Sequence, residues 1–255
     1  SGGRYALNPG SYCGVYICRR EGAKPGASQV ITAGRLARCS HPIPVAQLAF
    51  LCAYVSKGDT MKQLIKEIIC EKSRINGNRT RYRSPLVGFA AADDPLFGQL
   101  RQVANPDHLL PEEMLPGAKT VVAFFLPFTT DLVKLNRKAP YISREWAEAY
   151  VETNELIKEI CQTVAGRLTD QGVRTAFERP THNFDHERLL SPWSHKHVAF
   201  VCGLGSFGRN TMLITEKGCA GRFGSLVTDG YIQPDSPTRL VFYPGCDSCS
   251  YCVRA

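Results

Sequence analysis

Apolar positions recur at helical and strand spacing after residue 60 and at neither before it. Residues 1 to 60 are rich in Gly, Pro, Ser and Arg and carry no long apolar period. From Met61, "MKQLIKEIICEKS" sets Leu64, Ile65, Ile68 and Ile69 at the spacing of one helical face. The clearest helix is "SREWAEAYVETNELIKEICQTVAGRLTDQG", residues 143 to 172. There Trp146, Tyr150, Thr153, Ile157, Ile160, Val164 and Leu168 recur every three or four positions. Ser143 is its expected N-cap and Gly172 its stop. Strands are expected in "SPLVGFAAADD" (84 to 94) and from Thr120 to about Leu126, after the turn in "PEEMLPG". "GVRTAFE", "TMLIT" and "FGSLVTD" add three more, the last two joined by a glycine-rich connection. Alternating strands and helices predict an α/β or mixed α+β layer domain.

Three segments follow from this pattern: 1–60, 61–240 and 241–255. Met61 would make a natural start, so residues 1–60 are expected to be upstream translation or a small extension. Charge divides in the same place. Residues 1–60 hold seven Lys and Arg against two Asp and Glu, whereas the rest holds 24 against 21. The net charge of +8 therefore sits mostly on the unpatterned segment, and the near-neutral body argues against a strong phosphate-neutralising role. No apolar run approaches the roughly eighteen residues of a membrane span. No secretory signal is evident, and a cytoplasmic protein is expected.

"HVAFVCGLGSFGRNTMLI" carries Gly203-x-Gly205-x-x-Gly208, the spacing of a dinucleotide fingerprint. That fingerprint needs a helix directly after the glycines. The following "RNTMLITEKGCAGRFG" contains Gly218, Gly221 and Gly224, and each interior glycine costs a helix about 1 kcal/mol. The dinucleotide reading therefore fails, and a glycine loop packed against backbone is the plainer one. Arg209 and Asn210 follow the glycines and are candidates to meet a phosphate or cofactor side chain, or to cap the turn. His195 and His197 flank Lys196. In a strand they would share a face and both point at one cofactor, as proton donors or metal ligands. The plainer reading is a surface turn beside Trp193. His182 and His186 have the spacing of a helical metal pair, but Pro180 and Asn183 favour a loop.

Eight of the eleven cysteines are scattered and read as buried or incidental thiols. Cys246, Cys249 and Cys252 form C-x2-C-x2-C in "CDSCSYC", the opening of the bacterial ferredoxin run. Thiolates suit the soft iron–sulfide centre, and two-residue gaps let one loop wrap a cube's corner. These three are the expected ligands of a [4Fe–4S] cluster; zinc and structural thiols are the rivals. The ferredoxin run would place its fourth cysteine at position 256, so the motif is expected to continue past Ala255, in a module with two clusters.

"PEEMLPGAKTVVAFFLPF", "GLGSFGRNTMLI", "RFGSLVTD" and "CDSCSYCVRA" together resemble the epoxyqueuosine reductase family and its shorter relatives, over roughly Met61 to Ala255. The resemblance implies a nitroreductase-like, cobalamin-processing-like mixed-sheet domain followed by a two-cubane ferredoxin module. It implies cobalamin between the two and Gly203, Gly205, Gly208 and Asn210 near the cofactor. A ferredoxin or flavodoxin would donate the electrons, and transfer RNA would carry the substrate. One departure stands out. The family carries an acid some fourteen residues before the glycine loop, where this chain has Leu189. No Asp or Glu lies between Arg188 and Gly203; Asp185 fits only with a shifted alignment. Asp185, His195 and His197 are the catalytic candidates, and a non-catalytic iron–sulfur electron-transfer protein is the alternative.

Overall fold

The computed structural model describes residues 5–9, 15–20, 29–32, 45–180, 185, 187–188, 190–235 and 241–254, with side chains from residue 58 onward. It divides into two compact units, Ser1–Ser56 and Lys57–Ala255. In the first, β1 (Tyr5–Pro9), β2 (Val15–Arg20) and β3 (Gln29–Thr32) form an antiparallel sheet in that order. Helix α1 spans Val45–Arg74 and so begins well before Met61. "VAQLAFLCAYV" contains no Gly or Pro and is rich in Ala and Leu, which favour helix even where the apolar spacing is irregular.

The second unit is built on a four-stranded sheet. Its strands are β4 (Leu86–Ala91), β5 (Thr120–Pro127), β6 (Thr175–Ala176) and β9 (Gly221–Thr228), in the order β4-β5-β9-β6. Every ladder in it is antiparallel, with Val122 opposite Leu226 and Phe89. All eight β5 residues are buried, which is why the strand reads as an unbroken apolar run: helices cover both its faces. The layered mixed α+β reading of the sequence holds.

One face packs on α1 and on α5 (Arg144–Thr169). Ile65 and Ile69 of α1, Val122, Phe124 and Leu126 of β5, and Leu156, Ile157 and Ile160 of α5 form a single cluster. The α5 periodicity is fulfilled by buried Thr153, Ile157, Ile160, Val164 and Leu168, with Ser143 Oγ accepting from Trp146 N at 3.2 Å as the N-cap. Gly172 follows with φ of 73°. The other face packs on α2 (Pro95–Val103), α3 (Pro111–Met114) and α6 (His195–Val201), through Phe97, Leu100, Val121, Ala123, Trp193 and Val198. Helix α4 (Thr130–Lys138) leads into α5. The short hairpin of β7 (Ser206–Phe207) and β8 (Leu213–Ile214) follows α6. A 3-10 turn, Pro244–Cys246, and α7 (Tyr251–Arg254) close the chain.

Candidate functional site

The apolar run before Gly203 is a helix, not the strand that a dinucleotide fingerprint would need. Val198, Ala199, Phe200 and Val201 are all buried, and a short run buried all round has no period to distinguish helix from strand. Gly203 ends this helix. Its φ is 78°, its N–H donates to Phe200 O at 2.9 Å, and Leu204 N donates to Ala199 O at 2.9 Å. Those two bonds are a Schellman stop, which favours glycine because a side chain is strained at positive φ. Gly205 and Gly208 have a different reason. A Cβ on Gly205 would fall on the Ile214 carbonyl, and one on Gly208 would meet Ile214 Cδ1 at 2.7 Å. All three glycines are accounted for by the packing of α6 and of the β7–β8 hairpin. Asn210 accepts from Met212 N at 3.2 Å and shapes the same hairpin, beside Thr211 at φ 60°.

The helix also separates the two histidines. At about 100° per residue, positions 195 and 197 point some 200° apart, so the shared face that a strand would give them does not exist. Nor do they form a surface turn, since both are partly buried within α6. His197 Nδ1 lies 2.7 Å from Ser194 Oγ, and its ring rests 4.9 Å from that of Phe207. It fastens the start of α6. His195 Nδ1 lies 2.7 Å from Ser225 Oγ on β9, and Trp193 Nε1 donates to that same oxygen at 2.9 Å. His108 completes the cluster, with Nε2 accepting from Ser194 N at 3.1 Å and Nδ1 2.8 Å from Leu109 O. Burial pushes His195 and His197 down to about 4; the positive charge of Arg222 adds to this for His195, and that of Lys196 for His197. Burial lowers His108 as well. All three are neutral near pH 7.

Sequence reasoning missed His108 and Ser225. His108 lies in none of the stretches singled out, Ser225 lies in one that reads only as a strand, and it is the fold that brings both to Trp193. Asp185 is exposed, and its Oδ1 accepts from Glu187 N at 2.8 Å and Arg188 N at 3.0 Å, which makes it a turn-capping carboxylate here. His182 and His186 lie outside the described residues.

The cysteine segment is tied to the glycine loop. Phe207 N donates to Val241 O at 2.9 Å and Tyr243 N to Phe207 O at 2.8 Å. Arg209 Nε donates to Cys246 O at 3.0 Å. Cys246 is half-buried, Cys249 and Cys252 are exposed, and all three thiols are free. Among the described residues, no three ligating side chains are gathered tightly enough to hold a metal ion. Cys219, read from the sequence as incidental, also belongs to this neighbourhood. Burial pushes its thiol up, and the nearby Cys252 adds to the rise.

Solved structures similar to the chain include two epoxyqueuosine reductases. An epoxyqueuosine reductase solved with an epoxyqueuosine-modified tRNA-Tyr stem loop matches with a TM-score of 0.51 and 20% identity, over 83% of this chain and 52% of its own. The Bacillus subtilis epoxyqueuosine reductase, solved with its catalytic aspartate loop swung out of the active site, matches with a TM-score of 0.50 and 21% identity, over 76% and 52%. At these identities the likeness establishes the fold: this chain has the fold of the epoxyqueuosine reductases over about half of their length. No family model matches the chain, and no curated protein matches it by sequence. Among the described residues, no helix is long and apolar enough to cross a membrane.

Proposed function

We propose that this chain is the redox-active part of an iron–sulfur oxidoreductase related to epoxyqueuosine reductase. In this reading Cys246, Cys249 and Cys252 hold a [4Fe–4S] cluster, which relays single electrons to a cofactor or substrate over the α/β domain. The observation that carries it is the attachment of the cysteine segment to the glycine loop through Phe207, Tyr243 and the Arg209–Cys246 bond. A cluster there would sit against α6 and the hairpin rather than on a free tail. The donor set fits the group: three free thiols at ferredoxin spacing on one accessible segment. Binding would draw the thiolates together, as metal sites do when no preformed site exists.

Cobalamin is the acceptor that the fold suggests. The partners that go with this reading are a cytoplasmic ferredoxin or flavodoxin as donor, and transfer RNA as the first substrate carrier to try. A non-catalytic electron-transfer role is the second reading. It is favoured by Leu189, which stands where the family carries its acid, and by Asp185, whose carboxylate accepts from the backbone of its own turn. The ligand assignment is tested by reconstituting the chain anaerobically with iron and sulfide. Cys249→Ala is expected to lose at least half of the bound iron; full iron retention would remove Cys249 from the ligand set.

A further inference from the structure

Ser225 Oγ is the junction of a short hydrogen-bonded chain on the α6 face of β9. Trp193 and Ser225 are both buried, and His195 is half-buried. An indole N–H can only donate, so Trp193 occupies one lone pair of the serine oxygen. The serine hydroxyl hydrogen needs an acceptor of its own. Among the described residues the only one bonded to it is His195 Nδ1, at 2.7 Å. Nδ1 must then be bare, and the imidazole proton sits on Nε2.

We propose that Trp193 and Ser225 lock His195 in the Nε2–H tautomer, and that this N–H is the donor for an oxygen or nitrogen acceptor of a ligand bound on the α6 side of the sheet. Three observations support it. Among the described residues, nothing hydrogen-bonds Nε2 of His195, although the residue is partly open to solvent. Burial and the guanidinium of Arg222 both oppose its protonation, so it stays a neutral donor. His108 is the internal contrast. Its Nε2 accepts from Ser194 N and its Nδ1 must donate to Leu109 O, so it carries the opposite tautomer with both nitrogens closed. It is fully buried and has nothing left to offer a ligand. Trp193 and Ser225 are therefore positioning residues, and His195 is the group that meets the ligand. The inference stands apart from the iron–sulfur reading and survives its failure.

Long-range proton–nitrogen spectra of the metal-free chain at pH 7 test it directly. His195 is expected to show a protonated Nε2, a bare Nδ1 and no titration above pH 5. A protonated Nδ1, averaged nitrogen shifts or titration near 6.5 would overturn the lock. Ser225→Ala should release the ring into averaged tautomers. Trp193→Phe, which keeps the aromatic bulk, should loosen it in the same direction. Unchanged His195 nitrogen shifts in both variants would remove the positioning role. Formate serves as a small oxygen acceptor: it should move the His195 Hε2 resonance saturably and leave that of His108 in place. No formate-dependent shift, or an equal shift at His108, would overturn the donor role.

Discussion

The histidine cluster around α6 and the cysteine segment of residues 241–254 are organised in opposite ways. Around α6, Trp193, Ser225, His195, His108, Ser194 and His197 are joined by the fold itself, through bonds of 2.7–3.1 Å. In the cysteine segment Cys249 and Cys252 are exposed, as are Val241 (70%) and Tyr251 (70%). The first arrangement needs no ligand to hold its geometry. The second has its backbone anchored at Phe207 and Arg209 but its thiols ungathered, so its final geometry depends on what binds it. One protein thus carries one arrangement set by its core and another that its core leaves open.

Breaking the core should separate the two regions most strongly. Phe124 is fully buried between β5 and α5. Phe124→Ala is expected to cost about 3–5 kcal/mol in urea unfolding of the metal-free chain. Cys249→Ala in the same metal-free chain should stay within about 0.5 kcal/mol of the parent, as exposed substitutions do. Equal losses would mean that the cysteine segment is part of the folded core.

Acid should weaken the histidine cluster and spare the thiols. His195 and His197 sit near 4 in the fold because burial disfavours their charged forms. In the unfolded chain they titrate at about 6.5. The unfolded state therefore binds more protons between those values. Their contribution is complete above about 6.5 and is lost as pH falls towards 4. By pH 4.5 each should have cost roughly 2 kcal/mol. Urea midpoints measured between pH 7.5 and 4.5 check this, and His195→Gln should flatten its own share of the slope.

A smaller effect sharpens the boundary between the regions. Gly203 at φ 78° stops α6 immediately before the loop that anchors the cysteines. Gly203→Ala should cost about 1–2 kcal/mol. A neutral result would contradict the Schellman stop.

How far the sequence reaches differs between the regions for the same physical reason. The α5 face, its Ser143 cap and the β5 run were legible because burial on a regular element leaves a period or an unbroken apolar stretch. The cysteine spacing was legible because its three residues are close in sequence. Helix α6 was not, because its buried part, Val198 to Val201, is four residues long and carries no period, so neither the shared face that a strand would give His195 and His197 nor the surface turn read for them is what forms. The partnership of His195 with Ser225 was beyond reach, since only the packing of α6 on β9 brings residues 195 and 225 together.

The most direct measurement is the iron and acid-labile sulfide content of the chain after anaerobic reconstitution in the presence of zinc. The account expects three or four irons with matching sulfide per chain, held through the cysteine segment, against a [4Fe–4S] centre of about four. One zinc per chain with neither iron nor sulfide would contradict it and make the segment a zinc site.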